Sequence, residues 1–160
     1  MKIVKSIMPY VIIILVVILL RIFIVTPVMV NGDSMNDTLV HNQIILLKKF
    51  DRNYSRNEII VFEHNDSRWV KRVIGLPGET VECIDDILYI NGNIFEDRFA
   101  STTTCYDLIM INLEIIPPKT YFVLGDNRSN SSDSRTIGVV SEDKIVGTTS
   151  FSLWPIRRIN

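Results

Sequence analysis

The chain is poor in histidine, the residue that most often serves as a base in hydrolytic enzymes. Its 160 residues include only His41 and His64, and neither lies in a recognisable catalytic context. A serine hydroxyl attacks a carbonyl only when a base removes its proton. A hydrolase with this sequence would therefore need another base, and a lysine kept neutral in an apolar pocket is the alternative.

Cysteine is equally scarce, which excludes two further classes of protein. Cys83 and Cys105 are too few for a disulfide scaffold and lack the spacing of metal ligands, so no metal site is expected. Two unpaired small side chains are the simpler interpretation. One disulfide is the alternative, if the domain faces an oxidising compartment.

The chain also lacks an excess of positive or negative charge. The formal net charge is -1 and there is no long basic run, which argues against nucleic acid as a partner. No internal repeat or low-complexity tract interrupts the chain. Once the apolar N-terminus is set aside, the length leaves room for one small domain.

The one long apolar run lies at residues 7–25, after Lys2 and Lys5. At about 1.5 Å per residue, a helix of this length spans nearly the roughly 30 Å of a bilayer's hydrocarbon core. Arg21 is the only charge in the run, and its long side chain can reach the headgroups. A cleavable signal peptide is the alternative, but residues 26–30 lack a small-x-small cleavage pattern.

We therefore expect a single-pass protein of the cell membrane with three parts. Residues 1–6 would be cytoplasmic because positive charge favours that side. Residues 7–25 would form a transmembrane signal anchor, and residues 26–160 an extracytoplasmic domain.

Beyond the anchor, the pattern is typical of many short strands. We predict strands at 43–47, 58–63, 68–74, 81–84, 87–90, 121–124, 139–140, 145–146 and 148–153. Asp85-Asp86 suits a tight hairpin, and Asn91-Gly92 gives the strongest hairpin signal because both positions tolerate positive φ. The fold class predicted is mainly β, a barrel-like antiparallel domain preceded by one N-terminal transmembrane helix.

The first segment whose residues could take part in catalysis is Gly32-Asp33-Ser34-Met35, just beyond the anchor. Ser34 would attack, and Met35 would supply apolar cover. Gly32 would let a substrate approach the backbone and would leave its own amide usable as a donor. Taken alone, a serine in a polar turn is usually an ordinary loop residue.

The second segment is the strand around Lys71. Alternation puts Trp69, Lys71 and Val73 on one face and Arg72 on the other. An unshifted lysine is neutral at pH 7 in fewer than about one molecule in a thousand, so burial would have to lower its pKa. A solvent-exposed lysine is the commoner case. Arg72 would need a carboxylate partner if it is buried.

The third segment, residues 125–135, is rich in short side chains that hydrogen-bond nearby backbone. Composition alone favours a solvated loop. As a functional segment it could support a site: Ser131 could hold the lysine amine, and Asp126 or Asp133 could pair with an arginine.

Together the three segments resemble bacterial type I signal peptidases (peptidase family S26), which remove signal peptides from exported proteins. The matches are Gly-Asp-Ser-Met at 32–35, Lys-Arg-Val-Ile-Gly-Leu-Pro-Gly-Glu at 71–79 and Gly-Asp-Asn-Arg-x-Asn-Ser-x-Asp-Ser-Arg at 125–135. They occur in the family's order behind an apolar segment. The short domain resembles the compact Gram-positive members, and the resemblance is thinnest across 95–114.

The resemblance implies a role for each matching residue. Ser34 would be the nucleophile, Lys71 the general base, and Ser131 the hydroxyl that orients the lysine amine. Gly32 stands where some relatives carry an oxyanion-hole serine, so an oxyanion contact from this position would have to come from backbone.

The remaining matches imply support for these groups. Asp126 would pair with Arg72, while Asp133 and Arg135 would hold the loop between residues 125 and 135. One departure is Asp37, which replaces the proline that the family commonly has two residues after the methionine. This departure concerns the rigidity of the turn and not the reacting groups.

The family further implies a serine endopeptidase that works through an acyl-enzyme, with no metal or cofactor. Its partners would be signal-peptide-bearing preproteins and the lipid bilayer, and we expect a monomer. The substrate would lie extended along a strand. Val30, Met35 and Trp69 are candidates for the shallow pockets that receive small side chains.

Other functions remain open beside this one. A catalytically silent relative assisting pilus or surface-protein assembly would be expected to lack the serine or the lysine, and both are present. Self-cleaving repressors of the DNA-damage response resemble signal peptidases around the serine and lysine, here Ser34 and Lys71, which we call the dyad. Those repressors carry a DNA-binding region where this chain has its apolar segment. A peptidase specialised for one pilin or transfer-system client differs only in substrate.

Overall fold

The fold begins with a helix and continues almost entirely in β-strands. The computed structural model describes residues 2–23, 25–49, 53–99 and 113–159. Helix α1 (Lys2–Phe23) covers most of the apolar run, and its described side chains, those of residues 7–18, are all exposed. Among the described residues, no helix combines the length and hydrophobicity needed to cross a membrane.

Eleven strands occur in the described part of the chain, and the described pairs are antiparallel. They are β1 (Val25–Met29), β2 (Ile44–Lys48), β3 (Ile59–His64), β4 (Ser67–Gly75), β5 (Val81–Ile84), β6 (Ile87–Ile90), β7 (Asn93–Ile94), β8 (Thr120–Leu124), β9 (Val140–Ser141), β10 (Ile145–Trp154) and β11 (Ile156–Arg158). A four-residue helix, α2 (Ser134–Ile137), follows β8. The mainly β prediction is confirmed.

The strands form two sheets. The larger sheet has eight strands in the order β1-β2-β10-β3-β4-β8-β9, with β11 paired to β10. The smaller sheet is the meander β5-β6-β7. Strand β4, which contains the lysine predicted as the base, lies inside the large sheet, whereas β1 lies at one end of it. This arrangement determines where the functional side chains can meet.

Two-residue turns connect several neighbouring strands. Asp85 and Asp86 have φ of 50° and 62°, and Asn91 and Gly92 have φ of 52° and 72°, so both predicted hairpins are confirmed. A third turn of the same kind, Asn65-Asp66, joins β3 to β4 and was not predicted. Positive φ at both positions gives the turn a twist that matches the strands, and asparagine and aspartate tolerate it.

The two strands predicted at 145–146 and 148–153 form one strand, β10, with a bulge at Gly147. The pairing of β10 with β3 shifts register between Ile145 and Gly147. A Cβ at Gly147 would lie 2.0 Å from the carbonyl oxygen of Lys48. The glycine is therefore a point of close backbone approach within a strand, which a pattern of residue types cannot distinguish from a turn.

The buried apolar side chains confirm the alternation predicted along β4. Trp69 and Val73 pack with a cluster that includes Ile60, whereas Val70 packs with a different cluster that includes Leu47. A third cluster lies between the small sheet and β8; its buried members are Ile74, Val81, Leu88, Ile90, Ile116, Phe122 and Leu124. The two faces of β4 thus meet separate parts of the core.

Cys83, in β5, is disulfide-bonded. The chain's other cysteine, Cys105, lies outside the described residues. The simpler interpretation of two unpaired cysteines is therefore wrong for Cys83.

Candidate active site

The structure brings Ser34 and Lys71 into direct contact although they are 37 residues apart in the sequence. The Lys71 Nζ donates a hydrogen bond to the Ser34 Oγ at 2.5 Å. Ser34 lies in a turn of residues 32–39 between β1 and β2, which we call the nucleophile turn. Lys71 lies in β4. An amine this close to a hydroxyl is within reach to remove its proton.

Core packing holds the nucleophile turn in place. Met35 and Leu39 are both fully buried. They form the two ends of one helical turn, in which the Leu39 N–H donates to the Met35 carbonyl at 2.7 Å. The ends of the loop are tied by hydrogen bonds from Val30 N–H to the Gln43 carbonyl and from Asn42 N–H to the Val30 carbonyl. The Ser34 hydroxyl therefore projects from a turn whose backbone is fixed by its neighbours.

Burial changes the protonation of Lys71. The residue is 3% exposed, and its Nζ lies 5.6 Å from the centre of the Trp69 ring. Burial is the main cause that lowers its pKa from 10.5 to about 8. Asp133 and Asp126 oppose this change, and Arg135 adds to it. At pH 7 about a tenth of the molecules would carry a neutral amine, and the shift corresponds to roughly 3 kcal/mol.

Residues 125–135, the catalytic loop, pack directly against the backbone of the nucleophile turn. The Asn127 N–H donates to the Ser34 carbonyl at 3.0 Å, and the Asn127 Nδ2 donates to the Asp33 carbonyl at 3.1 Å. A Cβ at Gly125 would lie 2.2 Å from the Ser131 Oγ and 2.5 Å from the Ser34 carbonyl oxygen. Only a glycine permits this approach.

A buried ion pair joins the catalytic loop to β4. The Arg72 Nε and Nη2 donate to the two carboxylate oxygens of Asp126 at 2.8 and 2.6 Å, and both residues are 2% exposed. Two further acceptors for the guanidinium are the Asn57 carbonyl at 2.7 Å and the Thr38 Oγ1 at 3.2 Å. The pair holds the loop beside the residue that follows Lys71.

Asp133 organises the second half of the loop. Its carboxylate accepts hydrogen bonds from the Gly125 N–H at 3.0 Å, from the Ser131 hydroxyl at 2.7 Å, and from the Arg135 Nε and Nη2 at 2.8 and 2.9 Å. Asp133 also caps α2 through the Arg135 N–H. Ser131 thus donates to Asp133, and no hydrogen bond between Ser131 and Lys71 is found within the described residues.

Gly32 is engaged in a contact that the sequence did not indicate. It has φ of +98°, and its N–H donates to the Nδ1 of His41 at 3.0 Å. In this conformation the Gly32 amide already has an acceptor. In the part of the chain that the structure describes, the N–H of Ser34 has no hydrogen-bond acceptor. His41 had no local signal in the sequence, and Asn127 belonged to a matching motif without a role assigned to it.

A groove of about 650 Å³ opens over the dyad. Its walls are residues 28–35 and residues 67–71, and Asn130 and Ser132 of the catalytic loop complete the lining. The three residues predicted to line substrate pockets are all in this lining: Val30, Met35 and Trp69. Val30 and Met35 are buried beneath the groove, whereas Trp69 is half-buried at its side.

Two strand edges face this groove. Among the residues that the structure describes, β1 pairs with β2 alone, and β8 pairs with β4 from Arg72 onward. Within the described residues, the first half of β4 therefore has one partner strand, β3. Edges of this kind present free backbone groups to an added strand.

The family model described as signal peptidase, peptidase S26, matches residues 3–154. The chain belongs to this family. Its S26 relatives include "Signal peptidase I S" of Bacillus subtilis (strain 168), which is 35% identical over 153 residues, covering 88% of this chain and 83% of the relative. "Signal peptidase IB" of Staphylococcus aureus is 37% identical over 152 residues, covering 83% and 80%. The resemblance seen in the three segments is confirmed.

A solved structure of an S26 peptidase shares the fold. It is the crystal structure of a signal peptidase I from Enterococcus faecalis, which is 38% identical to this chain with a TM-score of 0.56. The match covers 60% of this chain and 96% of the other. The mainly antiparallel β architecture of this chain is therefore that of the signal peptidase I fold.

We expect peptide hydrolysis to depend on the protonation of Lys71. The amine is a base only when neutral, and a pKa of about 8 means that the neutral fraction rises as pH increases towards that value. The kcat/KM for a fluorogenic peptide spanning a signal-peptide cleavage site should rise about tenfold from pH 6 to pH 7 and level off above pH 8. Circular dichroism at each pH controls for unfolding. A flat profile, or one that falls above pH 7, would contradict this role.

We also expect Gly125→Ala to impair the site. The added methyl group would collide with the Ser34 carbonyl and the Ser131 hydroxyl, so the two segments must separate. Overpacking of this kind costs about 1–3 kcal/mol of unfolding free energy, and a displacement near 1 Å lowers kcat about 100-fold. Thermal unfolding and peptide kinetics measure the two effects. Ser129→Ala, on the exposed part of the same loop, is the control; equal activity in both variants would refute the close-approach explanation.

Proposed function

We propose that this chain is a membrane-bound serine endopeptidase that removes N-terminal signal peptides from exported preproteins. The observation that carries the proposal is the 2.5 Å contact between the Lys71 Nζ and the Ser34 Oγ, with the amine buried. Membership of the signal peptidase family and the names of its relatives support the same activity. Because both reacting groups are present and in contact, nothing favours the catalytically silent alternative.

The proposed reaction begins with a proton transfer. Neutral Lys71 takes the proton of Ser34, and the Ser34 oxygen attacks the carbonyl carbon of the scissile bond. The Ser34 N–H is the backbone donor that would stabilise the resulting oxyanion. Lys71 then returns its proton to the leaving amine as the peptide bond breaks. A water molecule deprotonated by Lys71 hydrolyses the ester and regenerates Ser34.

The charges around Lys71 suit a base that must exchange its proton repeatedly. Burial favours the neutral amine, whereas Asp133 and Asp126 favour the ammonium that forms during the reaction, and the resulting pKa is about 8. A base with a pKa near the working pH can both accept and return a proton. The proposed base therefore requires no metal or cofactor.

Ser131 has a proposed role in holding the amine. Its hydroxyl donates to Asp133, and a hydroxyl can accept a second hydrogen bond while it donates one. The Ser131 Oγ also lies beside the Gly125 backbone that contacts the Ser34 carbonyl. We propose that it accepts a hydrogen bond from the Lys71 amine and so orients the amine's lone pair towards Ser34. The pairs Asp126–Arg72 and Asp133–Arg135 would keep the loop in this position.

The substrate would bind as an extended strand in the groove over the dyad. Within the described residues, β1 and the first half of β4 each lack a second partner strand, and their edges would offer backbone donors and acceptors on either side of the substrate. Small side chains before the scissile bond would enter shallow apolar pockets formed by Val30, Met35 and Trp69. All of these groups come from one chain, so a monomer would be sufficient.

We propose that residues 1–6 are cytoplasmic, residues 7–25 anchor the chain in the cell membrane, and residues 26–160 form the extracytoplasmic domain. The apolar sequence of 7–25 supports an anchor, and Lys2 and Lys5 support the orientation. The anchor would hold the groove at the membrane surface, where a preprotein still carries its hydrophobic signal segment.

Ser34→Ala and Lys71→Ala should each abolish cleavage of a preprotein reconstituted with the full chain in lipid vesicles. Removing a nucleophile or its base lowers kcat by at least about 10³-fold. Gel shift and N-terminal sequencing of the product identify the cut. Ser129→Ala should cleave normally. Persistent cleavage by either dyad variant would refute the assignment.

The anchor predicts where the protein is found after cell lysis. The full chain should remain in the membrane fraction through alkaline carbonate extraction, because about 20 apolar residues in a helix stay in the bilayer. A variant that lacks residues 1–25 should be recovered in the supernatant and still hydrolyse a short peptide. Recovery of the full chain in the carbonate supernatant would contradict the anchor and leave the dyad assignment intact.

A further inference from the structure

A buried ion pair joins the catalytic loop to a part of the chain that carries no recognised motif. Asp97 lies three residues after β7, in the region where the resemblance to signal peptidases is thinnest. Its side chain is 3% exposed and that of Arg128 is completely buried. The Arg128 Nη2 donates to the Asp97 Oδ1 at 2.9 Å, and the Nη1 donates to the Oδ2. The two groups meet as a two-pronged charge pair.

Arg128 connects this pair to the dyad. Its Nε donates to the Gly125 carbonyl at 2.9 Å, and its own carbonyl accepts from the Arg135 Nη2 at 2.7 Å. Gly125 lies so close to the Ser34 carbonyl that an added Cβ would collide with it. The orientation of the Arg128 guanidinium therefore helps to determine where the loop contacts the nucleophile turn.

Phe99 extends the connection to Arg72. The Arg72 guanidinium lies 5.2 Å and the Arg128 guanidinium 5.7 Å from the centre of the Phe99 ring. The Phe99 N–H donates to the Asp97 Oδ1 at 3.0 Å, which links the ring to the carboxylate. One short segment thus contacts both buried arginines that orient the loop, through a carboxylate on one and an aromatic face on both.

We propose that Asp97 is a positioning residue for the Ser34–Lys71 dyad and that Phe99 assists it. This role rests on the peptidase activity proposed above. Without the carboxylate, the buried Arg128 would lose its two-pronged charge pair with Asp97, and its guanidinium would turn towards another acceptor. Its bond to the Gly125 carbonyl would weaken, and the loop would lose its register against Ser34. The meander β5-β6-β7, which leads into this segment, would then contribute to catalysis without touching substrate.

Asp97→Asn tests the charge, because the two side chains have the same shape. We expect kcat for a signal-peptide substrate to fall at least tenfold while KM stays within about twofold, since Asp97 is not among the residues that line the groove. The pH midpoint of kcat/KM should also move, because the distances from Lys71 to Asp126, Asp133 and Arg135 would change. Glu96→Gln, at the exposed neighbouring position, should behave as the unaltered chain does.

Asp97→Asn combined with Arg128→Met separates positioning from simple stabilisation. Removing both charges should restore the melting temperature that the single change lowers, since both members of the ion pair are removed together. It should not restore kcat, because the bond from the Arg128 Nε to the Gly125 carbonyl is lost. Recovery of both would show that Asp97 acts only through stability and would overturn the proposal.

Phe99→Leu keeps the proposal testable if Asp97→Asn does not fold. Leucine retains apolar cover but lacks the aromatic face, so we expect kcat to fall three- to tenfold with KM unchanged. Normal kcat in a folded Asp97→Asn or, failing that, in Phe99→Leu would overturn the positioning role and leave the peptidase intact. Absence of cleavage by the unaltered chain and by Glu96→Gln would refute the proposed function itself.

Discussion

Lys71 is buried next to an alcohol and, among the described residues, forms no ion pair with a carboxylate, and this environment is what would let its amine act as a base. Two aspartates lie near enough to influence Lys71, yet each is bonded to an arginine: Asp126 to Arg72 and Asp133 to Arg135. An unpaired carboxylate at that distance would favour the ammonium strongly. Because the arginines neutralise these carboxylates, burial remains the largest influence and the pKa of the lysine stays low.

Three arginine–aspartate pairs also set the shape of the loop that faces the dyad. Asp126 connects it to β4, Asp133 connects its two halves, and Asp97 connects it to the segment after the small sheet. Buried ion pairs contribute little net stability, because the cost of removing charge from water offsets their attraction. Their directional hydrogen bonds, however, admit few alternative arrangements. The loop has to be placed against Ser34 to within a fraction of an ångström. The ion pairs therefore matter more for fixing the conformation of the loop than for the free energy of unfolding.

The sequence was most informative where local chemistry determines local structure. Strands β5 and β6 have the predicted bounds because two-residue turns with tolerant residues separate them. Strand β1 was missed, since it continues an apolar run in which no alternation marks a boundary. The bulge at Gly147 was read as a gap between strands, because the cause is a neighbouring carbonyl that is distant in sequence.

The candidate site likewise has some features that local sequence predicts and others that depend on contacts between distant residues. The alternation along β4 correctly separated Lys71 from Arg72, but no spacing rule brings Ser34 to Lys71, and that expectation came from the resemblance to a family. His41 and Asp97 carry no local signal at all. Their contacts with Gly32 and Arg128 form only after the chain has folded.

In the described part of the chain, β1 and the first half of β4 each have one partner strand, and this has a consequence for which substrates the groove would accept. A groove bordered by backbone donors and acceptors would bind the peptide backbone, which every polypeptide has. Only the few shallow apolar pockets would discriminate between side chains. Such an enzyme would accept many unrelated proteins provided that a short stretch can be drawn out flat with small residues at the right places. A broad substrate range would then result from backbone pairing at the strand edges and not from a pocket that tolerates many side chains.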